Sequence, residues 1–109
     1  MPIESTALLA GVPELMMLRL LQAQEMYGYE IVQAISSRTG GIVTPGEGVV
    51  YPLLHALEKE GALKSRRKTV NGRSRVYYAL TGRGTKKLAS LSGDWNALNS
   101  VVQKVLHAV

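Results

Sequence analysis

No cysteine occurs anywhere in the 109-residue chain. Disulfides and thiolate metal sites are thereby excluded, and with them the small secreted modules that bridges hold together. Histidine is almost as scarce. His55 and His107 are far apart in sequence, and neither has a second histidine at ligand spacing, so no metal site and no cofactor are expected. The longest apolar runs are too short to span a bilayer, and no membrane partner is expected. Met1 to Glu4 carry no positively charged leader, and Glu4 and Glu14 interrupt the apolar run that follows. No signal peptide is read there, and the cytoplasm is the expected location. Glycines at 46 and 48, and at 82 and 84, are too sparse for a phosphate loop, and no Gly-Lys-Ser/Thr follows them. No serine or aspartate is paired with a histidine in a recognisable motif. No catalytic residue is assigned, and an enzyme is not expected.

One further absence is confined to a region. Between Gly61 and Gly93 there is no acidic residue, while the same span holds nine of the thirteen lysines and arginines. They are Lys64, Arg66, Arg67, Lys68, Arg73, Arg75, Arg83, Lys86 and Lys87. A sheet edge uses one or two such charges to block edge pairing. Six of them around one turn, with no acid in the span to balance them, read instead as a phosphate-binding surface. The net charge of +5 and a sequence pI of about 9.8 agree with an anionic partner. An apolar content of 46% separates the chain from disordered basic tails, and its length suits one domain with a modest core.

The stretch from Thr44 to Leu80 organises the chain. Val50, Leu53, Leu54 and Leu57 form an apolar stripe at helical spacing, with Tyr51, His55 and Lys59 on the other face. Pro52 is tolerable only near a first turn, which predicts a helix start close to Gly48. Gly61 suits the helix end. Asn71-Gly72 separates two strand-like runs, about Leu63–Val70 and Ser74–Leu80, and predicts a hairpin with a type I′ turn. In the second run Val76, Tyr78 and Leu80 share one face, and Arg75 and Tyr77 the other.

Upstream, Met1 to Thr6 reads as a loose lead-in. A helix is predicted from about Val12 to Glu25, beginning as early as Ser5 unless Gly11-Val12-Pro13 breaks it in two. Leu15, Met16, Met17, Leu18, Leu20 and Leu21 go almost all the way round it, so one side is expected to face a partner. Met26-Tyr27-Gly28 reads as a turn, and a second helix as about Tyr29 to Arg38. Thr39 to Gly48 is a loop rich in glycine. Thr81 is the expected N-cap of a last helix reaching about His107. Its apolar residues Leu88, Leu91, Trp95, Leu98, Val102, Val105 and Val109 step by three and four, a heptad seam that a second copy would cover. Gly93 lies inside it, at a cost of about 1 kcal/mol relative to alanine. The fold class is thus mainly α with a small β-hairpin: a winged helix-turn-helix over residues 1–80 and a long C-terminal dimerisation helix over 81–109.

Four pieces carry a family resemblance: Tyr27-Gly28-Tyr29-Glu30-Ile31, Gly48-Val49-Val50-Tyr51-Pro52-Leu53-Leu54, Leu57-Glu58-Lys59-Glu60-Gly61, and Gly72-Arg73-Ser74-Arg75-Val76-Tyr77-Tyr78-Ala79-Leu80-Thr81. In this order and spacing the chain resembles the PadR family of winged-helix transcriptional regulators, and its length resembles the small subfamily with one C-terminal helix. The resemblance implies a homodimer held by exchanged C-terminal helices that represses a promoter. It also implies a pocket at the dimer centre, lined by a tryptophan, in the drug-sensing members. Val49 departs from the pattern, since the family usually has Thr or Ser there, and operator sequence is not transferable.

The expected contacts with a double-stranded DNA operator are Gly48, Val49, Tyr51 and His55 on the helix and Arg66, Arg67, Lys68, Asn71, Arg73 and Arg75 on the hairpin. Tyr51 and His55 would meet base edges; Arg73 and Arg75 would reach phosphate or the minor groove. Tyr77 either contacts DNA or packs beneath the wing. The expected dimer interface is Leu88, Leu91, Trp95, Leu98, Val102 and Val105. Trp95 has two readings, a packed seam residue or a slab for a small, flat, cationic or neutral aromatic effector, with Leu91, Leu98 and Asn99 beside it and Asp94 drawing a cation if it faces inward. A winged-helix module that docks proteins and senses no ligand is the alternative, against which the basic hairpin argues.

Overall fold

A computed structural model describes residues 6–108. The lead-in therefore lies outside the described residues except for Thr6, as does Val109 at the end of the seam. Two helices, α1 (Thr6–Leu9) and α2 (Val12–Ala23), are broken at Gly11, with Pro13 in the first turn of α2. The remaining order is β1 (Met26–Tyr27), α3 (Gly28–Arg38), α4 (Glu47–Lys59), β2 (Leu63–Val70), β3 (Arg73–Leu80) and α5 (Gly82–Leu106).

Met17, Leu18, Leu20 and Leu21 of α2 are all buried. One protomer achieves this alone, because α2 contacts α3, α4, α5 and β3. The partner-facing side expected of this helix shrinks to Leu15 and Met16, which are half-buried. Ile31 and Ile35 from α3 and Val50, Leu54 and Leu57 from α4 complete the centre of the core. α4 begins at Glu47, so Pro52 stands in its second turn. The proline has no N–H for the Gly48 carbonyl, and Gly48 is exposed, so water serves that acceptor at little cost.

The hairpin forms in the expected register, from Leu63 opposite Leu80 to Val70 opposite Arg73. Asn71 and Gly72 take φ values of 52° and 77°, the two positive angles that a type I′ turn requires. The turn read at Met26-Tyr27-Gly28 is instead a third strand and a helix start. β1 pairs antiparallel with β3, Met26 opposite Tyr78 and Tyr27 opposite Tyr77, giving the order β1-β3-β2. Two residues are too few for a strand period to show in a sequence; what makes them a strand is the free edge of β3. Tyr27 then caps α3, its N–H donating to Glu30 Oε1 at 3.3 Å.

Tyr77 and Tyr78 are both buried, so the sheet is covered on both faces at its base. Tyr78 joins the core. Tyr77 packs edge-on against Tyr27, ring centroids 5.4 Å apart, with Lys68 Nζ 4.3 Å from its own centroid. Of its two readings, packing beneath the wing is the one its burial supports.

Thr81 caps α5, its hydroxyl oxygen accepting from the Gly84 N–H at 3.1 Å. That hydroxyl also lies 2.6 Å from the Gly61 carbonyl and 3.0 Å from that of Ala62, which ties the start of α5 to the end of α4. Leu88 is 4% exposed and sits in the protomer's own core. Its assignment to the dimer interface is therefore corrected: the first turns of α5 lie on α2, and Leu88 is consumed there. Leu91 is half-buried against the same core. From Gly93 onward every described residue is exposed, and the helix carries the molecule to a longest dimension of 59 Å.

Candidate nucleic-acid interface

α4 and the hairpin meet α3 in a groove of about 520 Å³. Tyr51 and His55 reach it from α4, Tyr27, Gly28 and Tyr29 from β1 and the start of α3, and Arg67, Arg73, Ser74 and Arg75 from the wing. Gly48, Val49 and His55 are exposed, as are Arg67, Asn71 and Arg73. The fold thus gathers Tyr51 and His55 of α4 and three arginines around a single concave surface.

Tyr51 differs from expectation. It does not stand clear of the core beside His55 but is half-buried and packs against it. The cause is Gly28. A Cβ on that residue would lie 2.5 Å from Tyr51 Cε1 and 2.8 Å from its hydroxyl oxygen. Only a residue without a side chain lets the phenol lie across the start of α3. Tyr51 therefore lines the groove from its wall, while His55 is the more open of the two.

The charge balance also differs. Glu25, between α2 and β1, accepts hydrogen bonds from Arg66 Nη2 at 2.8 Å, Arg66 Nε at 3.2 Å and Lys68 Nζ at 2.5 Å. The hydrogen bonds from Arg66 and Lys68 hold its carboxyl down at about 2, well below the usual carboxylate range. Two of the six hairpin cations are thus engaged by an acid distant in sequence, and the expectation of an unbalanced cluster is corrected to that extent. Arg67 Nη1 donates to Ser74 at 3.3 Å, and the Arg75 guanidinium lies 4.3 Å from the Tyr27 ring centroid. The Arg73 side chain makes no hydrogen bond or ion pair among the described residues. Away from the wing, Lys87 pairs with Glu60 at 2.5 Å and Glu14 at 3.4 Å, and Arg83 Nη1 donates to the Glu60 carbonyl at 2.8 Å. Burial, followed by the nearby Glu58 and Tyr51, raises the Tyr78 phenol and keeps it protonated.

A second cleft, of about 420 Å³, lies between α2, the C-terminal end of α3, and α5. It is lined by Leu15, Met16, Arg19 and Leu20, by Ile35, Arg38 and Thr39, and by Ser92, Trp95 and Asn96. Of the four residues expected around an effector only Trp95 lines it. Leu91 faces the core, and Leu98 and Asn99 lie farther along the exposed part of the helix. The amide that lines this cleft with Trp95 is that of Asn96. Asp94 is outside the lining, whereas Arg19 and Arg38 belong to it. The exposed apolar stripe of α5 holds Trp95, Leu98, Val102 and Val105 as expected, and also Val101 and Leu106, which the strict heptad count passed over. No group of three or more His, Cys, Asp or Glu side chains stands close enough to hold a metal among the described residues. No helix of the described residues is long and apolar enough to cross a membrane.

Comparison with known proteins agrees with this geometry. The sequence profile described as the transcriptional regulator PadR-like family matches residues 17–90. A transcriptional regulator of Mycobacterium tuberculosis is 39% identical over 82 residues, 75% of this chain and 71% of that protein. A transcriptional regulator from Clostridium thermocellum superposes with a TM-score of 0.86 at 28% identity, over 94% of this chain and 97% of the other. A PadR-like transcriptional regulator from Bacillus cereus gives 0.84 at 28% identity, over 95% and 100%.

Proposed function

The chain belongs to the PadR-like family of transcriptional regulators, DNA-binding winged-helix proteins rather than enzymes, and we propose that it works as a homodimeric repressor that a small aromatic effector releases from a double-stranded operator. Residues 1–80 with the first turns of α5 form the DNA-binding body, and the rest of 81–109 forms the dimerisation arm. The observation that carries the reading is the groove between α4 and the wing, where Arg67, Arg73 and Arg75 stand beside Tyr51 and His55. In a docked complex the exposed edge of α4 enters the major groove and the wing cations take phosphates.

Dimerisation is supported by the projecting half of α5. Leu98, Val101, Val102, Val105 and Leu106 are between 42% and 76% exposed on a helix that its own chain does not cover. Burying each would contribute on the order of 1–2 kcal/mol, enough to favour pairing with a second copy. Effector sensing is supported by the cleft at Trp95. Its wall is apolar, and its charged groups are Arg19 and Arg38, so it suits a flat neutral or anionic compound better than a cation.

The test is fluorescence anisotropy of a labelled duplex from the chain's own upstream region and of a random duplex, at 50 and 200 mM salt. Three wing cations from each protomer make six phosphate contacts per dimer, and affinity should fall about a thousandfold across that range. Arg73→Ala should flatten the salt dependence of both duplexes, and His55→Ala should reduce the preference for the upstream duplex. Binding with no salt dependence and no preference would refute the proposal.

A further inference from the structure

Building on the DNA-binding reading above, we propose that Glu25 is a specificity-determining residue that withholds Arg66 and Lys68 from DNA phosphates and so keeps binding to unrelated sequence weak. Along β2 the side chains alternate between faces. Ser65, whose hydroxyl donates to Glu58 of α4, and Arg67, which lines the groove, point to the side of the recognition helix. Arg66 and Lys68 point to the opposite face, which Arg75 shares across from Lys68, and Glu25 engages both Arg66 and Lys68. The arrangement copies the way a phosphate is held: one oxygen takes the guanidinium end at 2.8 Å and the ammonium at 2.5 Å, and the other takes Nε at 3.2 Å. A phosphate arriving at either cation must displace a carboxylate already in place.

Magnitudes decide what this contact is for. The Arg66 side chain is 66% exposed and that of Glu25 24%, and ion pairs open to solvent contribute little to stability. Two cations per protomer weigh far more in DNA binding, where each phosphate contact adds a salt-dependent, sequence-blind increment. Arg66 and Lys68 lie outside the groove that Arg67, Arg73 and Arg75 line, so a duplex seated there is held without them. Arg66 and Lys68 would then serve mainly loosely oriented encounters, and silencing them penalises random DNA more than the operator.

The experiment measures Glu25→Gln on operator and random duplexes between 50 and 200 mM salt, with the full-length chain. Freeing one to two cations per protomer steepens the salt slope of the dimer on random DNA by about 1.8 to 3.6. The variant should therefore lose about ten to a hundred times more affinity than wild type across that range, starting from tighter binding at low salt. Random-duplex affinity should rise more than operator affinity. Arg66→Ala with Lys68→Ala in the Glu25→Gln background should return the slope to that of wild type. Asp94→Asn makes the same change of charge on α5 and should leave the slope alone. An unchanged or shallower slope in Glu25→Gln would mean that Glu25 only braces the wing. Equal gains on both duplexes, or equal steepening by Asp94→Asn, would equally overturn the proposal. Arg75→Ala separates this failure from failure of the DNA-binding reading. If Arg75→Ala flattens the slope while Glu25→Gln does not steepen it, only the role of Glu25 is lost.

Discussion

Replacing Gly28 by alanine tests the packing that sets Tyr51. Gly28 is the first residue of α3, and alanine by itself favours a helix over glycine by up to about 1 kcal/mol. Against that gain stands the Tyr51 ring, with Cε1, Cζ and the hydroxyl oxygen at 2.5, 2.6 and 2.8 Å from the new methyl carbon. Contacts that short do not persist, so the phenol must swing toward the groove or α3 must move. Forcing one carbon into packed space costs about 1–3 kcal/mol. Gly28→Ala should therefore destabilise the wild type by up to about 2 kcal/mol once the full helix gain is subtracted. In a Tyr51→Ala background the obstacle is gone, and the same substitution should become neutral or stabilising. Urea unfolding at one fixed protein concentration measures the cycle, since a dimer's stability depends on concentration. Operator binding should fall with Gly28→Ala, because the displaced ring intrudes between α4 and the wing. If Gly28→Ala stabilised the wild type, or had the same effect in both backgrounds, Tyr51 would not be held as described.

The remaining predictions concern the arm, the cleft and pH. Leu98→Asp or Val102→Asp puts a charge into the apolar stripe of α5. Sedimentation should then report monomers with an intact fold and weak operator binding, and a variant that stays dimeric would move the interface elsewhere. Trp95 is the only tryptophan, so planar neutral or anionic dyes should quench its fluorescence saturably, and Trp95→Ala should abolish their binding without unfolding the protein. A dry packed seam predicts no quenching and a loss of about 3–5 kcal/mol on the same substitution. Glu25 titrates at about 2 when folded, against an ordinary value of 4.5. Its folded pKa is depressed, so its contribution is complete above about 4.5 and disappears as pH falls toward 2. Acid unfolding of Glu25→Gln should lack that component, and identical acid limbs in both proteins would show that the contact adds nothing to stability.

Local chemistry was legible in the sequence alone. Asn71 and Gly72 specify their turn because few other residues accept two positive φ angles in succession, and the observed angles are 52° and 77°. Thr81 caps α5 because its hydroxyl needs only an N–H three residues on. The stripe of Val50, Leu54 and Leu57 declares its buried face by period, and the four quoted stretches disclose the family. Tertiary structure decided whatever depends on a neighbour distant in the chain. Glu25 lies 41 and 43 residues from the cations it engages, so no window along the chain could weigh it against them. β1 is a strand only because β3 lies beside it. Leu88 and Leu98 share one heptad seam, yet one is sealed under α2 and the other stands in solvent. Periodicity tells which residues share a helix face; what covers that face depends on where the helix leaves the body, and α5 leaves it near Gly93.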